Sequence, residues 1–203
     1  MTRKDNSVNI ESRRGYHHGD LRGALIAIGL EMLDAMPAEA ISLRAMARRA
    51  GVSATAVYRH FPNRQALLAA LAREGMERLG GLQRAASAAA GGGGPGLAAS
   101  GRTYVRFAVD NPALFRLAFA SAPATALLDL PLDEAGSAMR GLREAIAELL
   151  PPALPPAARR DAALHAWSLV HGLAMLILDG QVGYDPAEVD RVIRATLPGS
   201  AAG

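Results

Sequence analysis

Residues 51–71 read GVSATAVYRHFPNRQALLAAL and contain the start and stop signals of two successive helices. Ser53 can cap a short helix that runs to the aromatic Phe61. Pro62 ends this helix because proline cannot continue its hydrogen-bond pattern, and Asn63 can cap the next helix. The stretch therefore predicts a short helix followed directly by another.

The helix before this stretch completes a recognisable motif. It begins after Ser42 in the run SLRAMARRA, and Gly51 supplies its C-terminal stop. Two helices joined by a tight turn with glycine, the second short and exposed, form a helix-turn-helix. Val57 and Phe61 would hold the second helix against its neighbours. The residues left on its open side are Ala54, Thr55, Tyr58 and Arg59.

A short exposed helix of this kind fits the major groove of B-DNA, where its N-terminal residues reach base edges. Ser53, Tyr58 and His60 are donors suited to phosphate oxygens, and Thr55 can offer a hydroxyl or a methyl group to a base. The residues alone leave one alternative open. The motif could be a helical corner in an ordinary bundle, in which Tyr58 and His60 only pack.

The composition favours an all-α protein. Half of the 203 residues are apolar and 4% are aromatic, and the frequent alanine, leucine and methionine lose little side-chain freedom in a helix. The length allows one medium domain, or a small domain joined to a larger one. The sequence contains no cysteine, which excludes a disulfide framework and thiolate metal ligands.

Positive charge is concentrated in the N-terminal third. Residues 1–64 hold ten lysines and arginines against six acidic residues, a net of +4, whereas residues 65–203 hold twelve against thirteen, a net of −1. We therefore expect a polyanionic partner at the N-terminal part. Residues 1–16 lack the apolar core of a signal peptide, and the longest apolar run, 169–178, is too short to cross a bilayer. The expectation is a soluble cytoplasmic protein with no membrane partner.

Three stretches resemble the DNA-binding region of TetR-family transcriptional regulators: YHHGDLRGALI at 16–26, ISLRAMARRAGVSATAVYRHF at 41–61 and NRQALLAAL at 63–71. Many members have glycine where this chain has Thr55, so base preference does not carry over. Many have lysine where this chain has Arg64, which keeps the charge for a phosphate contact. Together the helix geometry and the resemblance assign these residues to DNA: Ser42, Arg44, Ser53, Ala54, Thr55, Tyr58, Arg59, His60 and Arg64.

Helical spacing continues along the chain and predicts about nine helices in three regions. We expect a flexible N-terminal arm at residues 1–16, the helix-turn-helix domain at 17–64, and an effector-binding and dimerisation domain at 65–203. The first helix would be capped by Asp20. The fourth would end after Leu82.

The spacing also predicts how the fourth and fifth helices are joined. The fourth would bury one stripe of leucines, and the fifth would begin near Leu97. Between them, the four glycines of AASAAAGGGGPG would form a flexible loop. The predicted stripe consists of Leu68, Leu71, Leu79 and Leu82.

The eighth predicted helix, from about residue 156 to 179, is apolar nearly all round. A helix without a polar face must be covered on every side. We therefore predict a homodimer in which the eighth and ninth helices of each subunit meet, as TetR-family members generally dimerise. Two subunits would bind paired half-sites, so the operator would be palindromic.

An effector site is implied by the family resemblance, and AWSLVHGLAMLILDG at 166–180 resembles the C-terminal domain type named for its Trp-His-Gly signature. The side chains predicted to bind a small-molecule effector of unknown identity are Phe107, Phe115, Phe119, Met139, Trp167, His171 and Met175. The alternative for each of them is an ordinary core position, with His171 bonded to a carbonyl.

The sequence gives no support for catalysis, a metal or a cofactor. His17 and His18 are adjacent and would point apart, and no sulfur or acidic ligand has suitable spacing. No catalytic motif is present. The predicted function is a transcriptional regulator, most simply a repressor released by a small apolar or amphipathic effector. The alternatives are a DNA-binding dimer without small-molecule input, and a helical ligand-binding protein that has lost DNA binding.

Overall fold

The structure is a computed structural model that describes residues 20–120 and 127–195. The secondary structure of these residues is helical. Nine α-helices follow one another there, and a 3₁₀ turn at Ala38–Ala40 lies between the first two. This confirms the predicted all-α fold class. The predicted arm, His17 and His18 lie outside the described residues. In chain order the helices are α1 (Leu21–Ala35), α2 (Leu43–Ala50), α3 (Ala54–His60), α4 (Arg64–Ala89), α5 (Gly93–Asp110), α6 (Pro112–Ala120), α7 (Ser137–Leu149), α8 (Pro156–Leu178) and α9 (Pro186–Ala195).

Side-chain caps fix the starts of the first four helices, and three of these caps were predicted from the sequence. In each case an oxygen accepts the backbone N–H three residues further on, at 2.8 Å for Asp20, 3.1 Å for Ser42, 3.2 Å for Ser53 and 2.8 Å for Asn63. Each bond satisfies a donor that has no partner within its own helix. Replacing such a cap by alanine typically costs about 1 kcal/mol of stability.

The glycine loop between the fourth and fifth helices is much shorter than predicted. Helix α4 continues through the alanines to Ala89, and α5 begins at Gly93, so only residues 90–92 connect them. Gly91 and Gly92 have φ angles of 82° and 69°, a left-handed conformation that favours glycine. Close packing of α4 against α5 outweighs the low helix propensity of the glycines in the first turn of α5, because most helical stability in proteins comes from tertiary packing.

The predicted leucine stripe of α4 is correct for Leu68, Leu71 and Leu79, which are buried, and wrong for Leu82, whose exposed fraction is 52%. The buried side of α4 passes instead through Gly80, which packs closely against α7. Small residues let helices approach each other, and this approach turns Leu82 towards solvent.

Helix α4 connects the two parts of the fold. Its N-terminal half packs against α1, beside α2 and α3, and the helix then contacts α5, α6 and α7. Buried residues on both sides belong to one hydrophobic core, which extends from Leu25 in α1 to Ile193 in α9. A displacement of α4 would therefore move residues in both parts of the fold.

Helix α8 has the predicted extent, Pro156–Leu178, and therefore continues well beyond the apolar run 169–178. Among the described helices, it alone is long and apolar enough to span a membrane by length and composition, and only a small part of it is buried within the chain. The core helices of soluble proteins meet the same two criteria. Large apolar side chains such as Leu164 and Leu176 are exposed on it.

Candidate nucleic-acid interface and ligand cavity

The turn between α2 and α3 is fixed by backbone geometry at Gly51. This residue has a φ of 67°, in the left-handed region, and its N–H reaches the last carbonyls of α2. The N–H of Val52 donates to the carbonyl of Ala47 at 3.1 Å, which closes the C-terminal turn. Ser53 then caps α3. The sequence GVS thus sets the angle between the two helices.

One side of α3 is buried and the other is open. Val57 is completely buried and Phe61, which ends the helix, is 1% exposed. The guanidinium of Arg22 lies 5.5 Å from the centre of the Phe61 ring, so the ring is also covered from α1. The exposed residues of the helix are those predicted for the open side and its end: Ala54, Thr55, Tyr58, Arg59 and His60.

Three other residues predicted to contact DNA also lie at this end of the molecule. The side chains of Ser42 and Ser53 each accept a capping hydrogen bond, and each hydroxyl can still donate its proton. Arg44 is exposed on α2.

Arg64 is tied into the fold. Its Nε donates to the carbonyl of Ile41 at 2.8 Å, and its Nη2 donates to the carbonyl of Ala38 at 2.6 Å. The side chain anchors the start of α4 to the segment before α2. Its predicted phosphate contact stays a prediction.

A cavity of about 250 Å³ lies among α4, α5, α6, α7 and α8. Apolar side chains dominate its wall, with Leu142 and Ile146 from α7 and Val170 from α8 among them. Three of the predicted effector residues also line it: Phe119, Met139 and Trp167.

The other four predicted effector residues do not line this cavity. Phe107 and Phe115 are buried in the core, and Met175 is partly buried against it. Phe115 packs against Phe119 from behind the cavity wall, since their rings lie 4.8 Å apart between centroids. His171 belongs to the same aromatic cluster, with its ring 4.5 Å from that of Phe119.

Tyr104, which the sequence analysis missed, connects this cluster to the cavity wall. Its hydroxyl lies 2.9 Å from Nδ1 of His171 and accepts the indole N–H of Trp167 at 3.3 Å. A tyrosine hydroxyl has one proton to donate, so the arrangement is completed when Nδ1 of neutral His171 accepts it. Burial raises the pKa of Tyr104 far above its ordinary value. No spacing signal pointed to Tyr104, because it lies on α5 and its partners lie on α8.

The comparisons with known proteins agree with this architecture. Residues 25–71 match the family described as "Bacterial regulatory proteins, tetR family", and residues 97–198 match "Tetracyclin repressor-like, C-terminal domain". The second match alone spans half of the chain. The chain belongs to the TetR family of transcriptional regulators. TetR-family membership makes it a DNA-binding regulator with a helix-turn-helix, and not an enzyme.

Solved structures share this fold. A protein of unknown function from Rhodococcus sp. RHA1 is 33% identical, with a TM-score of 0.70 over 90% of this chain and 94% of that one. A TetR-family regulator from Streptomyces coelicolor shares the fold at 22% identity, with a TM-score of 0.61 over 86% and 77% of the two chains. A TetR regulator from Rhodococcus sp. RHA1 does so at 18% identity, with a TM-score of 0.54 over 86% and 94%. No curated protein is similar enough to count as a match.

The hydrogen-bonded pair of buried Tyr104 and half-buried His171 predicts a pH dependence of stability. Burial lowers the pKa of His171, so the unfolded chain binds a proton more readily than the folded regulator. The free energy of unfolding should therefore be level just above the ordinary histidine range, near 6.5, and fall as the pH drops through that range. Thermal unfolding from pH 8 to pH 5 measures this. The His171→Gln variant should show a smaller decrease, and equal decreases in both proteins would contradict the assignment.

Proposed function

We propose that this TetR-family protein represses transcription by binding a palindromic operator as a homodimer, and that a small molecule in the cavity releases it. The observation that carries the DNA-binding part is the orientation of α3. Val57 and Phe61 are buried on one side of the helix, and the polar side is exposed. The DNA-binding region would be residues 17–64, with residues 65–203 forming the effector-binding and dimerisation region. The proposed location is the cytoplasm, where operator DNA is available.

In this proposal α3 enters the major groove. Thr55 lies in the first turn of α3, which reaches base edges in helix-turn-helix complexes. Tyr58 is 47% exposed one turn later and would donate its hydroxyl to a phosphate oxygen. Arg44, Arg59 and His60 would add contacts to the DNA backbone, which fix position rather than sequence.

Homodimerisation would cover the exposed side of α8. Two exposed leucines on this helix support a dimer interface there. Leu164 and Leu176 are 40% and 46% exposed, and they lie more than three helical turns apart on α8. A second copy packing α8 and α9 against the first would bury this length of apolar surface. The same symmetry would place two α3 helices on half-sites one helical turn of DNA apart, or a multiple of it.

The cavity supports release by a ligand because its wall includes residues of both α4 and α7. Helix α4 carries the helix-turn-helix region at its N-terminal end, so a ligand that displaces α4 changes the separation of the two α3 helices. For release, the ligand must bind the displaced state more tightly than the DNA-binding state, because equal affinity for both states shifts nothing.

The first test of this proposal is selection of duplexes from a random-sequence library, followed by sequencing. An enriched palindrome supports an operator-binding dimer and supplies the operator for ligand assays. Enrichment of single half-sites would contradict the dimer. If no sequence is enriched at moderate salt, operator binding itself is contradicted.

Two substitutions in α3 should affect operator binding differently. Thr55→Ala should change the preference among bases at one position of each half-site, by about 1 kcal/mol for a single contact. Tyr58→Phe should weaken binding to all sequences by about tenfold through loss of a hydrogen bond to phosphate. Binding to a panel of single-base operator variants distinguishes the two effects. If neither substitution changes binding, α3 is not the helix that enters the groove.

A further inference from the structure

The cavity wall carries no charged side chain. Its described lining contains no aspartate, glutamate, lysine or arginine. An ionised ligand would lose its hydration there without gaining a partner of opposite charge, which is strongly unfavourable. The cavity therefore selects against carboxylates, phosphates and ammonium groups.

Two of the polar side chains at the wall, Trp167 and Tyr104, already bind each other. Trp167 donates its indole N–H to Tyr104, and the Tyr104 hydroxyl bonds to His171 behind the wall. Gln83 of α4 and Ser100 of α5 remain as side chains able to bind a ligand, together with the exposed His165 of α8.

Gln83 is only partly satisfied. Its Nε2 donates to the carbonyl of Ser100 at 3.3 Å, and this bond fixes which end of the amide is nitrogen, because the reverse orientation would set two oxygens against each other. Its Oε1 is buried and accepts no hydrogen bond from any residue in the described part of the chain. Protein atoms cover Oε1 in this conformation, so the amide must rotate slightly to bring the oxygen to a ligand.

The volume sets how much of a ligand the cavity can enclose. An apolar cavity of about 150 Å³ binds benzene, which has six non-hydrogen atoms. By proportion, the cavity of about 250 Å³ takes a molecule of roughly ten non-hydrogen atoms. Such a molecule fills the space between the leucines of α7 and the aromatic cluster with little room for a second polar group.

We propose that the ligand of this cavity is an uncharged, mainly hydrocarbon molecule of about ten non-hydrogen atoms, whose single hydrogen-bonding group binds Gln83 and Ser100. This inference rests on the proposed function for its biological role, since it names the class of effector. The contact to Gln83 also explains how the ligand acts on DNA binding. It is made directly to α4, the helix that leads to the helix-turn-helix.

Three probes with the same eight-carbon chain test the charge selection: 1-octanol, octanoate and octylammonium. The reporter is the fluorescence of Trp167, the only tryptophan of the chain, which lines the cavity. Titrations are run on the full chain without DNA at pH 8, above the ordinary titration range of histidine. We expect 1-octanol to bind at least about tenfold more tightly than either ion. Equal affinity for octanoate or octylammonium would overturn the inference.

Variants test the position of the polar contact. Gln83→Leu should weaken the binding of 1-octanol by about threefold to tenfold, the usual effect of one lost hydrogen bond. Gln65→Leu, at an exposed glutamine on α4 outside the cavity, should leave the affinity unchanged. Ala166→Leu adds three carbons at the cavity wall and should weaken 1-octanol more than Gln83→Leu does. If Gln83→Leu leaves 1-octanol affinity unchanged, Gln83 does not contact the ligand. If Ala166→Leu leaves it unchanged, 1-octanol does not bind in this cavity.

A separate measurement keeps this inference distinct from the proposed function. Operator binding is measured with and without 1-octanol at a concentration that saturates the Trp167 signal. If 1-octanol binds selectively but does not release the operator, ligand-controlled repression is contradicted. The proposed selection for uncharged ligands would still hold. If octanoate binds the cavity more tightly than 1-octanol and releases the operator, the proposed selection against charged ligands is contradicted. The proposed control of repression by a ligand would still hold.

Discussion

Phe115→Ala should lower the free energy of unfolding by about 3–5 kcal/mol, the usual range for a large aromatic side chain removed from a well-packed core. Phe115 is completely buried. Its ring meets that of Tyr104 edge-on at 5.5 Å between centroids, and it also contacts the rings of Phe119 and His171. Its removal would leave a hole behind the cavity wall that these rings cannot fill without moving. The loss is measured by urea denaturation, followed by circular dichroism.

The matched control is Leu82→Ala on α4. Leu82 was predicted to be core from its spacing but is 52% exposed, so its removal should change the free energy of unfolding by no more than about 0.5 kcal/mol. Both variants are compared at one protein concentration, because a dimer's stability depends on concentration. A cost for Leu82→Ala as large as that for Phe115→Ala would mean that Leu82 is covered.

The parts of this fold that could be predicted from sequence are those set by neighbouring residues. Ser53, Val57 and Phe61 define the start, the buried side and the end of α3 within nine residues, and the structure follows them. The same holds for the caps at Asp20 and Asn63. Local signals of this kind need no knowledge of what packs against the helix.

The features that could not be predicted depend on contacts between distant segments. Tyr104 and His171 are 67 residues apart in the chain and share a hydrogen bond. Gln83 and Ser100 come from different helices, and Arg64 is bound by carbonyls of the segment before α2. Effector residues were predicted from the line of Trp167, His171 and Met175 along the eighth helix, together with phenylalanines and a methionine of neighbouring helices. This identified the cluster but did not separate residues at the cavity wall from those behind it. That distinction depends on how helices rotate against each other.

Two adjacent glycines on α4 should respond oppositely to alanine. At Gly80 a Cβ atom would lie 2.1 Å from Oγ of Ser137 and 2.6 Å from the backbone nitrogen of Ala138. The backbone of α7 must therefore move, and the net effect should be a loss of about 1–3 kcal/mol in the free energy of unfolding. At Gly81 the nearest atom would be 4.0 Å away, at the end of the Arg84 side chain. Gly81→Ala should therefore gain up to about 1 kcal/mol from helix propensity.

The comparison of these two variants isolates the contact between α4 and α7, because both substitutions add the same methyl group to the same helix. Urea denaturation gives the stability of each, and Trp167 fluorescence reports whether the cavity is altered. Ser137 begins α7, and Met139, Leu142 and Ile146 of that helix line the cavity. A shift at Gly80 should therefore also change 1-octanol affinity, whereas Gly81→Ala should not. Equal stabilisation by both alanines would show that α7 does not pack closely on α4 and that the cavity wall is not held by this contact.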